Sequence, residues 1–194
     1  IDNLKDYKIL LVEDNVINQE IIMGLLENSG IIIEIANNGK EALEKFKLKE
    51  YMLILMDLQM PIMDGIEATK EIRKLDKNIP IIALTANAMK EDILRTKKAG
   101  MNEHLNKPIN VNKLYSAILK YTSKDINKDL LTCPVKSSAF VEFKYIDSTI
   151  GLSLMSNNEK LYLKILNNFK DKYENQKFDK LTNTELKIQI HTIK

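Results

Sequence analysis

Tryptophan is absent, cysteine occurs once, at Cys133, and only two histidines, His104 and His191, stand among 194 residues. A single thiol closes no internal disulfide and builds no cysteine-rich zinc site, which suits a reducing compartment. A cytoplasmic location is therefore expected, with a membrane-anchored parent left open. No apolar run approaches the roughly 20 residues that cross a bilayer, and no signal peptide opens the chain, so no membrane contact is expected of this stretch. An excess of one charge is missing as well: 29 basic against 27 acidic side chains leave a net charge of +2 with no basic block. Nucleic acid is thus not expected as a partner. What is present, 44% hydrophobic residues, suffices for one good core, or one core and a smaller satellite. An opening Ile1 in place of Met reads as an excised piece of a longer protein.

Residues 8 to 121 alternate short apolar runs with helix-period segments, the pattern of a parallel sheet covered on both faces. The strands read "KILLV" (8–12), "IIIEI" (31–35), "MLILM" (52–56), "PIIAL" (80–84) and the weaker "NEHL" (102–105). Amphipathic segments fall near 16–28, 40–49, 65–74, 88–99 and 111–121. Asn15 is placed to cap the first, "SG" at 29 and 30 to end it, and Asn38 or Gly39 to precede the second. The result is an α/β domain of (βα)5 form over residues 1–121. A stretch without period, 122–145, reads as a linker. Beyond it, 146–194 is helical in pattern, with Leu161, Ile165, Leu166, Phe169 and Tyr173 on one face of a helix from about 158 to 176.

Functional crevices of parallel α/β sheets lie beyond the carboxyl ends of the strands. There strand one delivers Glu13 and Asp14, strand three Asp57, strand four Thr85 and strand five Lys107. Taken singly, Asp14 or Asn15 reads as a helix cap, Asp57 as a turn residue and Lys107 as a solvated loop lysine. Five polar residues at the ends of four strands argue for a site. Three carboxylates this close repel one another unless a cation sits among them or their pKa values rise. An all-oxygen ligand set of this charge favours Mg2+. A carboxylate not consumed by the metal can attack phosphorus and become an acyl phosphate, with Lys107 and Thr85 placed to stabilise the phosphoryl oxygens.

The motifs "ILLVEDN", "LILMDLQMPIMDG", "IIALTANAM" and "HLNKPI" resemble those of the receiver domains of two-component response regulators, over residues 7–121. That resemblance implies a flavodoxin-like fold with strand order 2-1-3-4-5. It implies Asp57 as phosphoacceptor and Asp14 as a Mg2+ ligand, joined by the backbone carbonyl of Gln59 and by Glu13 through water. Thr85 matches the switch hydroxyl and Lys107 the phosphate-contacting lysine, with a cis Lys107–Pro108 bond. At the position where the family usually carries an inward-rotating Tyr or Phe stands His104, so a conventional aromatic switch is in question. The side chains of Gln59 and Asn87 correspond to positions that govern phosphate lifetime. As amides they offer no strong base, and modest self-hydrolysis is expected.

His191 shares the last helical stretch with Leu186, Ile190 and Ile193, and Lys194 follows at i+3. Such a histidine is ordinarily a surface or a satisfied core residue. From Tyr145 onward, however, "YIDSTIGLSLMSNNEKLYLKILNNFKDKY" and "LKIQIHTIK" resemble the front of a histidine phosphotransfer domain, which implies His191 as a second phosphoacceptor. In that family the motif continues with a glycine and further helices of a four-helix bundle, which this chain does not reach. Its apolar helix faces must then stay exposed, pack on the receiver, or self-associate.

These readings describe a phosphorelay piece of a hybrid sensor histidine kinase. Its expected partner is a histidine kinase or phosphotransfer domain. The stretch is a phosphoacceptor without an ATP-binding kinase module. A stand-alone response regulator whose C-terminal helices form a binding or dimerising output is the alternative. A Mg2+-dependent phosphatase would want a second Asp at the position of Gln59, and no helix pair with a basic recognition helix suggests a transcription factor.

Overall fold

The structure, a computed structural model, describes residues 4, 5, 7–86, 90–122 and 158–173, with side chains of the last helix described as far as Asn167. Five parallel strands, β1 (Lys8–Val12), β2 (Ile32–Ala36), β3 (Leu53–Asp57), β4 (Ile81–Thr85) and β5 (Glu103–Asn106), form one sheet in the order β2-β1-β3-β4-β5. Helices α1 (Val16–Leu26), α2 (Gly39–Leu48), α3 (Gly65–Leu75), α4 (Lys90–Ala99) and α5 (Val111–Thr122) alternate with them, and α6 (Glu159–Tyr173) follows. Four strands begin one residue later than the hydrophobic runs suggest. The shift places Asp57 and Thr85 within the last paired rung of the sheet, at registers Asp57↔Leu84 and Thr85↔Asn106.

Strand side chains alternate between faces, and both faces are apolar here. Ile9, Leu11, Leu53, Leu55, Ile82 and Leu84 join Ile22, Leu25 and Leu26 of α1 and Leu114, Ala117 and Ile118 of α5 in one core. Leu10, Val12, Ile54, Met56, Ile81 and Ala83 meet Ala42 of α2 and Ala68 and Ile72 of α3 in the other. The helices start where the local chemistry asks. The Asn15 side chain accepts from the Ile17 amide at 2.9 Å, Asn38 from Glu41 at 2.9 Å and Asp64 from Glu67 at 2.7 Å, each satisfying an otherwise unpaired first-turn donor. Helix α1 ends through a short 3-10 turn, Glu27–Ser29, and Gly30 in the left-handed conformation at φ 74°.

Helix α1 is unusual in being apolar nearly all round, "VINQEIIMGLL", as expected of a helix covered on two sides. Its inner side lies on the sheet, and its outer side carries α6. Leu161 and Tyr162 of α6 are buried, with Ile165 and Leu166 half-buried against the same core. The contact is close at Gly24, where a Cβ would stand 2.3 Å from a Leu161 methyl. A glycine inside a helix costs about 1 kcal/mol relative to alanine, so Gly24 is explained by the helix seated on it. Of the expected apolar face, Leu161, Ile165 and Leu166 are thus found packed on the α/β domain. Phe169 and Tyr173 lie outside the described side chains, as do the linker, the segment near 147–155 and the terminal helix with His191 outside the described residues. Among the described residues, no helix is long and apolar enough to cross a membrane.

Candidate functional site: an acid cluster bridged by a lysine

Parallel strands that all end on one rim bring their C-terminal residues together, and β1, β3, β4 and β5 do so here. One carboxylate oxygen each from Glu13, Asp14 and Asp57 lies within 4.8 Å of the others. Glu13 is fully buried and Asp57 nearly so, while Asp14 is exposed. Lys107 reaches in from the loop after β5, and its Nζ donates to Asp57 Oδ2 and to Glu13 Oε2, both at 2.6 Å. The Lys107 amide donates to the Thr85 carbonyl at 2.7 Å, which ties this loop to the end of β4, and the Lys107–Pro108 peptide bond is cis. Thr85 is itself buried at the end of β4.

Electrostatics at the rim are unbalanced: three carboxylates face one ammonium. Burial pushes the Glu13 carboxyl up from the usual carboxylate range, and the neighbouring Asp57 charge adds to this against the pull of Lys107. Burial acts to lower the Lys107 pKa, yet the two carboxylates outweigh it and hold the ammonium above its ordinary value. Lys107 is therefore a fixed cation at neutral pH, and the residual negative charge is left for a further cation. An exposed carboxylate beside two buried ones, all oxygen donors, fits a hard divalent ion such as Mg2+.

Two site residues escaped the sequence reading. Asn18 Nδ2 donates to Glu13 Oε1 at 2.8 Å, and Gln19 Nε2 donates to the Glu13 carbonyl at 2.6 Å and to Asn37 Oδ1 at 3.0 Å. Gln19 is buried, so it clamps the loop after β1 to the end of β2. The available signal was a polar run, Asn18-Gln19-Glu20, within the first turn and a half of a helix that is otherwise apolar. Gly65 supports the site from below. A Cβ there would lie 2.0 Å from the Asp57 carbonyl oxygen, so only glycine lets α3 start against the end of β3. Between them, Ile62 holds a positive φ of 72° and is 77% exposed. A β-branched side chain in that conformation is an outlier of the sort that gathers at functional loops.

The Gln59 amide donates to Asp57 Oδ1 at 3.2 Å, which turns the loop after β3 back over the carboxylate. His104 points away from this cluster, toward α4. The Thr96 hydroxyl stands 3.0 Å from the carbonyls of Asp92 and Ile93, and His104 Nε2 reaches the same oxygen. Asn87 lies outside the described residues, as does His191.

Comparison with known proteins places this geometry. The family described as response regulator receiver domain matches residues 9–119. Hybrid signal transduction histidine kinase B of Dictyostelium discoideum is 44% identical over 126 residues, 58% of this chain and 6% of that protein. Peroxide stress-activated histidine kinase mak1 of Schizosaccharomyces pombe is 40% identical over 129 residues, 61% of this chain and 8% of that protein. The chain thus spans less than a tenth of the length of these curated relatives. Among solved structures, the receiver domain of a Pseudomonas aeruginosa sensor histidine kinase, with a magnesium ion in its active site cleft, aligns with a TM-score of 0.57 at 38% identity, covering 60% of this chain and 98% of that one. The receiver domain of the Saccharomyces cerevisiae response regulator Ssk1, solved with the histidine phosphotransfer protein Ypd1, aligns with a TM-score of 0.59 at 34% identity over 66% of this chain and 96% of that one.

Proposed function

This chain belongs to the response regulator receiver domain family, and on that premise we propose that it accepts a phosphoryl group on Asp57 from a phosphohistidine of a kinase or phosphotransfer protein, within a hybrid histidine kinase. The observation that carries the reading is the convergence of Glu13, Asp14 and Asp57 on one rim with Lys107 bridging two of them.

An Asp57 carboxylate oxygen attacks phosphorus, so that an O–P bond forms while the P–N bond to the donor imidazole breaks. The imidazole leaves with its electron pair and takes a proton from solvent. Lys107, already charged, turns from its carboxylate partners to the incoming phosphoryl oxygens, and the Thr85 hydroxyl donates to another of them. Mg2+, held by Asp14, Asp57 and the Gln59 carbonyl with Glu13 acting through water, would supply neutralisation of the oxygens' charge during transfer. Gln59 and Asn87 bring amides and no base beside the acyl phosphate, which favours slow hydrolysis. His104, tied to Thr96, stands in for the aromatic switch.

On the same reading the chain divides into a receiver at 1–121, a linker at 122–145 and the front of a phosphotransfer domain at 146–194, whose His191 takes the phosphoryl group onward. Incubation with acetyl phosphate and Mg2+ should add one phosphoryl mass that Asp57→Asn abolishes; an unmodified wild-type mass defeats the proposal. Onward transfer requires phosphohistidine to appear in the parent protein after Asp57 is loaded and to vanish in His191→Gln. One observation favours a second reading, a response regulator whose C-terminal helices are its output: α6 is seated on the receiver itself.

A further inference from the structure

The seat of α6 bears on which donors can reach Asp57. The rim around the acid cluster is open to a small molecule, with Asp14 exposed and apolar Val16 (60% exposed) and Ile62 (77% exposed) standing at its edge. A protein donor needs more room. A specific interface of ordinary size covers about 800 Å2 on each partner, a patch of about 16 Å radius. Gly24, where α6 makes its closest approach to α1, lies eight residues from Val16, or about 12 Å along the helix. A helix with side chains is about 10 Å thick, so the near edge of α6 falls inside a patch of that radius centred on Val16 at the edge of the rim.

The contact is also built into the sequence. Gly24 on α1 receives Leu161, and Asn158 caps α6 by accepting from the Leu161 amide at 3.0 Å, which fixes the helix start beside it. The apolar stripe Leu161, Tyr162, Ile165 and Leu166 faces the α1 core, leaving Leu163 as the exposed large apolar side chain among the described side chains of α6. Nothing in the small-donor reaction uses any of these residues.

We propose that α6 seated on the outer face of α1 occupies ground that a phosphohistidine-bearing protein must cover, so that it selects against protein donors while leaving small phosphodonors free to react at Asp57. This rests on the reading of Asp57 as a phosphoacceptor. A seat occupied nine-tenths of the time lowers the apparent affinity for a competing partner about tenfold.

The test uses the whole chain and two variants that evict the helix from opposite sides. Gly24→Leu fills the seat with a good helix former, and Leu161→Asp places a charge on the buried stripe. Hydrogen exchange over 159–173 reports release. Each protein is then loaded with acetyl phosphate and, separately, with a phosphohistidine-loaded phosphotransfer protein of the helical-bundle type. Expected are loss of protection, an acetyl phosphate rate within about twofold of wild type, and a rate from the protein donor about tenfold higher in both variants. Equal protein-donor rates in all three chains overturn the gate and leave the receiver reading standing, and so does protection retained in both variants. Failure of both donors to modify Asp57 in all three chains overturns the underlying reading instead.

Discussion

Replacing Lys107 with methionine keeps most of the stem and deletes the charge, which isolates what the ammonium does for the acid cluster. Its side chain is 12% exposed, against 0% for Glu13 and 9% for Asp57, so the two bonds at 2.6 Å lie largely out of water. Removing one partner of a buried ion pair costs about 3–5 kcal/mol, because the orphaned charge is left desolvated. Glu13 is already pushed upward by burial and by Asp57; in the variant it can escape by taking a proton, which argues for the low end, about 3 kcal/mol. For a domain of this size that is about 12 °C in melting temperature. The pH dependence has a definite sign. A carboxyl whose folded pKa is raised loses stability as pH rises through that value, so the deficit of Lys107→Met shrinks on acidification and grows toward neutral pH. Mg2+ offers a second rescue. A ligand at 100 times its dissociation constant contributes about 2.7 kcal/mol, and without the lysine competing for Glu13 and Asp57 the ion binds the variant more tightly. Thermal unfolding in chelator and in Mg2+ checks both points. Melting of variant and wild type within 2 °C of each other (about 0.5 kcal/mol) in chelator, or a Mg2+ shift no larger in the variant, would refute the view that Lys107 neutralises buried carboxylates.

Other consequences follow from individual contacts. Gln19→Ala leaves the Glu13 carbonyl and the Asn37 amide oxygen without their donor, for an expected loss of about 1–3 kcal/mol in urea unfolding. Asn18→Ala frees the Glu13 carboxylate and should weaken Mg2+ binding about tenfold by calorimetry with little loss of stability; unchanged affinity would show that Asn18 does not position Glu13. Gly65→Ala forces a methyl against the Asp57 carbonyl, so destabilisation of about 3 kcal/mol together with loss of phosphorylation is expected. For His104, burial and then the Lys97 charge hold the pKa below the ordinary 6.5, against the pull of Glu103. The unfolded chain then binds the proton first, so stability falls as pH drops below about 6.5, and His104→Phe should flatten that part of the profile in a stability–pH series.

The (βα)5 order was readable because each strand is a run of β-branched or leucine-like residues and each helix carries its own caps. Asn15, Asn38 and the Gly30 turn act over two to four residues, so the sequence window contains the whole interaction. Positions of Glu13, Asp14, Asp57, Thr85 and Lys107 at strand ends followed from that order, and their meeting follows from the parallel sheet. The strand bounds slipped by one residue because pairing register, a contact between distant segments, decides the last rung.

Local sequence therefore determined the element types, the fold class and the set of charged residues at the rim. Tertiary structure decided which oxygen Lys107 holds, that Asn18 and Gln19 brace Glu13, that His104 turns to Thr96, and that Gly24 is a seat for α6. Those outcomes join residues 94, 8 and 137 positions apart, or hang on the rotation of one side chain in a helix, as with Asn18. Hydrophobic period and capping carry no information at such separations, since they report only which face of an element is apolar and where it begins and ends.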